Sequence, residues 1–99
     1  MLNSREITGL LRKALKETLA DSPEQADAHE DTSPLSGAGG LLDSYNMMLF
    51  LVEVDHLLSE ATGRDIVLVD DSALARRDRP FATLRAMAAY IEEYLKAMP

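Results

Sequence analysis

Three Asp-Ser pairs place hydroxyl groups beside carboxylates in this sequence: Asp21-Ser22, Asp43-Ser44 and Asp71-Ser72. Ser22 precedes a proline in a polar segment and Ser72 caps at most a short turn, whereas Ser44 begins a long apolar segment behind two glycines. Backbone N–H groups and the positive end of the helix dipole favour an anion at a helix start. Ser44 therefore suits phosphorylation or phosphodiester formation, and the alternative is that Asp43 and Ser44 are ordinary helix caps.

Catalysis by Ser44 itself is disfavoured because a serine nucleophile needs a general base nearby. The only two histidines are His29, in a polar segment, and His56, about three helical turns beyond Ser44. Two histidines without a cysteine or a matching carboxylate spacing are also a weak zinc signal. We expect no catalytic residue and no metal site in this chain, and two solvent-exposed imidazoles.

Helical spacing of apolar residues predicts the elements that position Ser44. The first helix has an apolar face, and Asn3 with Glu6 can form a reciprocal cap at its start. Residues 20–42 are rich in Asp, Ser, Pro and Gly and predict a long, acidic, mobile loop in which Leu35 is the only large apolar residue before Leu41. The face of the first helix comprises Ile7, Leu10, Leu11, Leu15 and Leu19.

The second helix is expected to begin at Asp43 or Ser44 and to end at Gly63. The next segment, "RDIVLVDD", looks like a strand without a partner, so we expect an extended crossing that buries Ile66, Leu68 or Val69. The inward stripe predicted for the second helix is Met47, Met48, Leu51, Val54, Leu58 and Ala61.

A short helical turn is plausible over residues 72–77, before Pro80. The last helix is expected to begin near Thr83. The predicted fold is all-α, with three long helices and one short one around a single core over residues 1–99. The apolar face of the last helix comprises Leu84, Met87, Ala88, Ile91 and Leu95.

Composition narrows the functional classes. The absence of cysteine excludes disulfides and a protein thiol, and the apolar run of the second helix is interrupted well short of a membrane span. The net charge is -7, and residues 20–43 hold six acidic side chains and no basic one. This acidity disfavours nucleic acid and favours basic protein partners, although solubility alone explains it equally well. We expect a cytoplasmic monomer that binds neither nucleic acid nor membrane.

The stretch "GLLDSYNMMLFLVEVDHLL", followed by "GRDIVLVDDSALARRDRPFATLRAMAAYIEEYL", resembles the acyl carrier proteins over nearly the whole chain. The resemblance implies a four-helix bundle with a long first loop and a G-x-D-S-L type motif at the second helix. It implies that Ser44, beside its motif neighbour Asp43, receives 4'-phosphopantetheine from coenzyme A. The chain would then be no enzyme but a carrier of acyl or aminoacyl thioesters, and the imported thiol would replace the missing cysteine.

The partners implied are a phosphopantetheinyl transferase, an acyl- or aminoacyl-activating ligase and acyl-transferring enzymes, which would dock on Tyr45, Glu53, Asp55 and Glu60. Tyr45, Asn46 and Leu49 depart from the residues usual in fatty-acid carriers, and the basic group Arg76, Arg77 and Arg79 resembles freestanding carriers of specialised pathways. A solvated turn explains these arginines equally well. The alternative function is an unmodified helical interaction or regulatory module, and neither cargo nor pathway follows from the sequence.

Overall fold

Four α-helices account for most of the described chain. The computed structural model describes residues 2–37, 39–68 and 79–98. Its helices are α1 (Ser4–Thr18), α2 (Pro23–Ala28), α3 (Ser44–Thr62) and α4 (Leu84–Ala97). The described residues form no strand, only one isolated bridge between Ser36 and Leu42. The prediction of a small all-α domain is confirmed for the described residues. No helix among the described residues is long and apolar enough to cross a membrane.

Helix ends follow the sequence signals closely. At the start of α1, the Glu6 N–H donates to Asn3 Oδ1 at 2.8 Å and the Asn3 N–H donates to Glu6 Oε1 at 3.2 Å, which forms the predicted reciprocal cap. Gly63 ends α3 with a φ of 71°, a left-handed conformation that glycine adopts without steric cost. Thr83 caps α4 by accepting the Ala86 N–H at 3.0 Å.

The core forms where α1 packs against both α3 and α4. The predicted apolar face of α4 is buried as expected, and α1 buries Ile7, Leu11, Ala14 and Leu15. Ala26 of α2 is also buried, and the segments between helices contribute the buried side chains of Leu35, Leu42, Ile66 and Leu68.

The inward face predicted for α3 is partly wrong. Phe50 and Leu57 are buried although the predicted stripe omitted them, whereas Met48 is 63% exposed and Ala61 is also exposed. Met47 and Leu51 are only partly buried. The reason is that α3 is apolar on most of its circumference, so the spacing alone does not select one inward face. The face that packs into the core comprises Phe50, Val54, Leu57 and Leu58.

The segment after α3 forms neither helix nor strand over residues 65–68, and two of the three residues expected to be inserted into the core are buried. Ile66 and Leu68 are buried while Val67 between them is 59% exposed, the alternation of an extended chain. The Ile66 N–H donates to Ser59 Oγ at 2.9 Å, and the Leu68 N–H donates to Asp55 Oδ1 at 3.1 Å. Side chains of α3 thus satisfy the backbone of this unpaired segment. Val69, the short helix expected over residues 72–77, Arg76 and Arg77 lie outside the described residues, whereas Arg79 is described and exposed.

The loop over residues 20–42 is far more ordered than predicted. It contains α2, and Leu35 is fully buried, with its N–H donating to the Ala82 carbonyl oxygen at 2.9 Å. Arg12 on α1 donates to the carbonyl oxygens of Ala26 at 3.3 Å and His29 at 2.8 Å, and to Asp31 Oδ1 at 2.6 Å. One guanidinium therefore fastens the loop to α1, a contact that local composition does not reveal.

Replacing Arg12 by methionine is expected to lower the free energy of unfolding by about 1–3 kcal/mol, because two carbonyl oxygens and a carboxylate lose a charged donor. Urea denaturation followed by circular dichroism measures this loss. Lys16→Met is the matched control, since the pair from Lys16 Nζ to Asp27 Oδ1 is exposed at 3.0 Å and such pairs contribute at most about 1 kcal/mol. Equal stability of the two variants would contradict the conclusion that the hydrogen bonds of Arg12 hold the loop against α1.

Candidate functional site

Ser44 is the first residue of α3, and its exposed hydroxyl makes no hydrogen bond with the described residues. The capping role belongs to Asp43, whose Oδ1 accepts the Asn46 N–H at 2.7 Å. The alternative in which both residues are ordinary caps therefore holds for Asp43 alone. Ser44 is left as an unengaged hydroxyl at a helix start.

Two backbone N–H groups at the start of α3 have no acceptor within the helix. The first i to i−4 bond of α3 runs from the Met47 N–H to the Asp43 carbonyl oxygen at 2.8 Å. The N–H groups of Ser44 and Tyr45 precede that bond and have no helical acceptor. Together with the dipole of a 19-residue helix, they favour negative charge at the Ser44 oxygen.

A tight glycine turn precedes Ser44. Gly37 and Gly39 have φ values of 80° and 76°, which favour glycine. A Cβ added to Gly40 would lie 2.5 Å from the backbone carbon atoms of Ser36, so the two backbones touch directly. The turn ends where the Leu42 N–H donates to the Leu35 carbonyl oxygen at 2.7 Å. Buried leucines on both sides thus anchor the turn that presents Ser44.

Gly40→Ala is expected to destabilise the fold by about 1–3 kcal/mol, because backbone must move to admit the new methyl group. Thermal melts measure the loss, and NMR shifts of Asp43 and Ser44 report the displaced turn. The control is Gly9→Ala on α1, where an added Cβ meets nothing within 4 Å and removal of glycine from a helix stabilises by about 0.5–1 kcal/mol. An unchanged melt for Gly40→Ala would show that the contact is not close in solution.

An open apolar groove of about 770 Å³ begins at Ser44 and runs along α3. Its floor on the helix consists of side chains three or four residues apart, and Leu42 and the Ser36-Gly37 backbone flank its near end. Sequence reasoning placed three of these side chains in the core, so it missed the groove. The residues of this floor are Ser44, Met47, Met48, Leu51, Val52 and Asp55.

The residues predicted to dock partners lie on α3 but in different environments. Tyr45 is 68% exposed, and Glu60 Oε1 lies 2.6 Å from His56 Nε2 at the exposed surface. Glu53 is half-buried, and a hydrogen bond with Glu17 is the largest cause that raises its pKa, followed by desolvation and by repulsion from that carboxylate. These side chains remain predicted docking residues.

Asp55 differs from the others because it supports the fold. Burial raises the pKa of its carboxyl group, and the hydrogen bond from the Leu68 N–H offsets part of that effect. Asp55 thus departs from the exposed position expected of a docking residue. His29 also departs from expectation, since its Nε2 is buried without a hydrogen-bond partner in the described structure, whereas His56 is exposed as predicted.

No group of three or more His, Cys, Asp or Glu side chains within the described ranges could hold a metal ion. Comparison of the chain with protein-family models, with curated proteins and with solved structures found no match. The geometry around Ser44 and the resemblance in sequence are therefore the features that bear on function.

Proposed function

We propose that this chain is a carrier protein, to which 4'-phosphopantetheine is attached through the Ser44 hydroxyl and which delivers thioester-bound acyl or aminoacyl groups to separate enzymes. The observation that carries the proposal is the unengaged Ser44 hydroxyl at the start of α3, beside Asp43, which does the capping. A serine needed as a cap would lose its hydrogen bond on modification. Modification of the Ser44 hydroxyl removes no capping hydrogen bond from α3.

The residues at the helix start fit the group. Phosphodiester formation joins Ser44 Oγ to the phosphorus that bears the pantetheine, breaks the pyrophosphate bond of coenzyme A and releases adenosine 3',5'-bisphosphate. The Ser44 proton passes to a base. The N–H groups of Ser44 and Tyr45, which have no helical acceptor, and the helix dipole support the proposal because they favour a negative charge at this end of α3. When bound, the arm supplies the thiol that this cysteine-free chain lacks.

We assign the base to the transferase, so the chain is a substrate of that enzyme. His56 lies twelve residues beyond Ser44 on the same helix, about 18 Å along the axis. The Asp43 carboxylate is committed to the Asn46 N–H. Neither group is placed to take the proton from Ser44.

Partner docking is proposed on α3, and Glu53 and Glu60 are the acidic residues there whose carboxylates accept no backbone N–H in the described structure. Reversing both to lysine is expected to slow modification by a basic transferase, chiefly through the association rate, and the parental rate should fall as salt rises. Modification rates at two salt concentrations measure the effect. Asp55 is left unchanged because its carboxylate holds the Leu68 N–H.

Asp65→Lys is the control for that experiment, since Asp65 is exposed beyond the end of α3. The doubly reversed protein should retain its helical content. Rates equal to those of Asp65→Lys at low salt would remove Glu53 and Glu60 from the docking surface.

The proposal is tested by intact mass after incubation with coenzyme A and a broad-specificity phosphopantetheinyl transferase. We expect one added phosphopantetheine per chain. The alternative, an unmodified helical interaction module of similar fold, predicts an unchanged mass under the same conditions.

A further inference from the structure

One face of α3 connects Ser44 to a carboxylate. The groove floor follows helical spacing from Ser44 through Met47, Met48, Leu51 and Val52 to Asp55. Its middle is apolar, and Met48 and Val52 are 63% and 61% exposed. The groove thus joins a modifiable hydroxyl at one end to an acidic group at the other.

We propose that this groove receives the far end of the Ser44 arm together with a short acyl group that bears an amine, and that Asp55 recognises the ammonium group. This inference rests on the function proposed above and adds the chemical class of the cargo. Asp55 is then a specificity-determining residue, and the apolar floor contacts the aliphatic part of the cargo.

The lengths agree. Ser44 and Asp55 are eleven residues apart, which corresponds to about 16 Å along the helix axis. A pantetheine arm of about fourteen bonds spans roughly 16 Å at the extended reach of a peptide backbone. An acyl group on the thiol of an extended arm therefore reaches the level of Asp55.

The electrostatics favour a cation at that point. Asp55 is half-buried, so its carboxylate has lost part of its water, and a cation that replaces this water stabilises the charged form. Asp55 Oδ1 accepts the Leu68 N–H. The other carboxylate oxygen has no hydrogen-bond partner in the described structure, and no lysine or arginine there forms an ion pair with Asp55. A carboxylate-bearing cargo would be repelled.

Three cargoes with the same branched skeleton test the proposal: the alanyl and isobutyryl groups, which are isosteric and are cationic and neutral, and the larger methylmalonyl group, which is anionic. Each is loaded on Ser44 as a hydrolysis-resistant amide analogue of the thioester. The readouts are the NMR methyl shifts of Met47, Met48 and Leu51 and the carboxyl-carbon titration of Asp55. We expect the alanyl group to occupy the groove about two- to fivefold more than the isobutyryl group, the range that partly exposed ion pairs provide.

The direction in which the pKa of Asp55 shifts is a second test, independent of how far each cargo occupies the groove. The pKa of Asp55 should fall with the alanyl cargo relative to the isobutyryl cargo, because the ammonium group stabilises the carboxylate, and it should rise with the methylmalonyl cargo. Asp55→Asn keeps an oxygen acceptor for the Leu68 N–H but removes the charge, so the preference for alanyl should disappear. Asp65→Asn, which removes an exposed charge outside the groove, should keep the preference.

Identical shifts for all three cargoes, or an alanyl preference that persists in Asp55→Asn, would overturn the inference while leaving the carrier function intact. Failure of any transferase to load the arm would instead overturn the carrier function. The groove is then still tested with Ser44→Cys, because the chain has no other cysteine and an alkylating arm of equal length can bear each of the three end groups.

Discussion

Phe50→Ala is expected to reduce the free energy of unfolding by about 3–5 kcal/mol, through lost burial and the cavity left behind. Phe50 is fully buried and is among the largest side chains of the core. A domain of this size has a total stability of roughly 5–15 kcal/mol, so the variant loses a large fraction of its stability and should melt at a clearly lower temperature. Urea denaturation followed by circular dichroism measures the change.

Leu51→Ala is the matched comparison, because Leu51 is the next residue on α3 but is only partly buried beside the groove. Its loss should be clearly smaller than that of Phe50→Ala, since less apolar surface returns to water. A larger loss for Leu51→Ala would mean that the inward face is the one expected from helical spacing, with α3 rotated about its axis.

Ser44→Ala is expected to abolish phosphopantetheine attachment while it leaves the fold intact. The Ser44 side chain caps nothing, so its removal should change the free energy of unfolding by no more than about 0.5 kcal/mol. Asp43 continues to cap α3 through the Asn46 N–H. Intact mass and thermal melts of the same sample measure the two effects together.

Ser22→Ala and Ser72→Ala are the controls, and both should accept one phosphopantetheine. Ser22 precedes the six-residue helix α2, and its side chain makes no capping hydrogen bond. Loss of modification in either control, or an unfolded Ser44→Ala protein, would contradict the unique role given to the Ser44 hydroxyl.

The sequence predicted the long helices well because their ends carry local chemistry. The Asn3 and Glu6 cap, the Gly63 stop and the Thr83 cap act within one helical turn, so a single stretch of sequence encodes them. Long-range contacts were not predictable in this way. The fastening of residues 26–31 by Arg12 joins groups more than a dozen residues apart.

In the candidate site, too, the features encoded by local sequence were predicted and those that depend on long-range contacts were not. Ser44 and its capping neighbour Asp43 were recognised from their position before an apolar run, and the structure separates their roles. The groove was missed because an α3 that is apolar on most sides gives no single inward face. The structural role of Asp55 depends on the path of residues 66–68, which no spacing within α3 encodes.

The attachment point of the arm distinguishes a carrier protein from an unmodified helical module. The unmodified parent is incubated with coenzyme A and a broad-specificity transferase, digested, and analysed by tandem mass spectrometry to locate any added group. We expect a single phosphopantetheine, on the Ser44 oxygen of the peptide that contains Asp43-Ser44. A parent that gains no such mass with any competent transferase, or one modified at another residue, would contradict the carrier function.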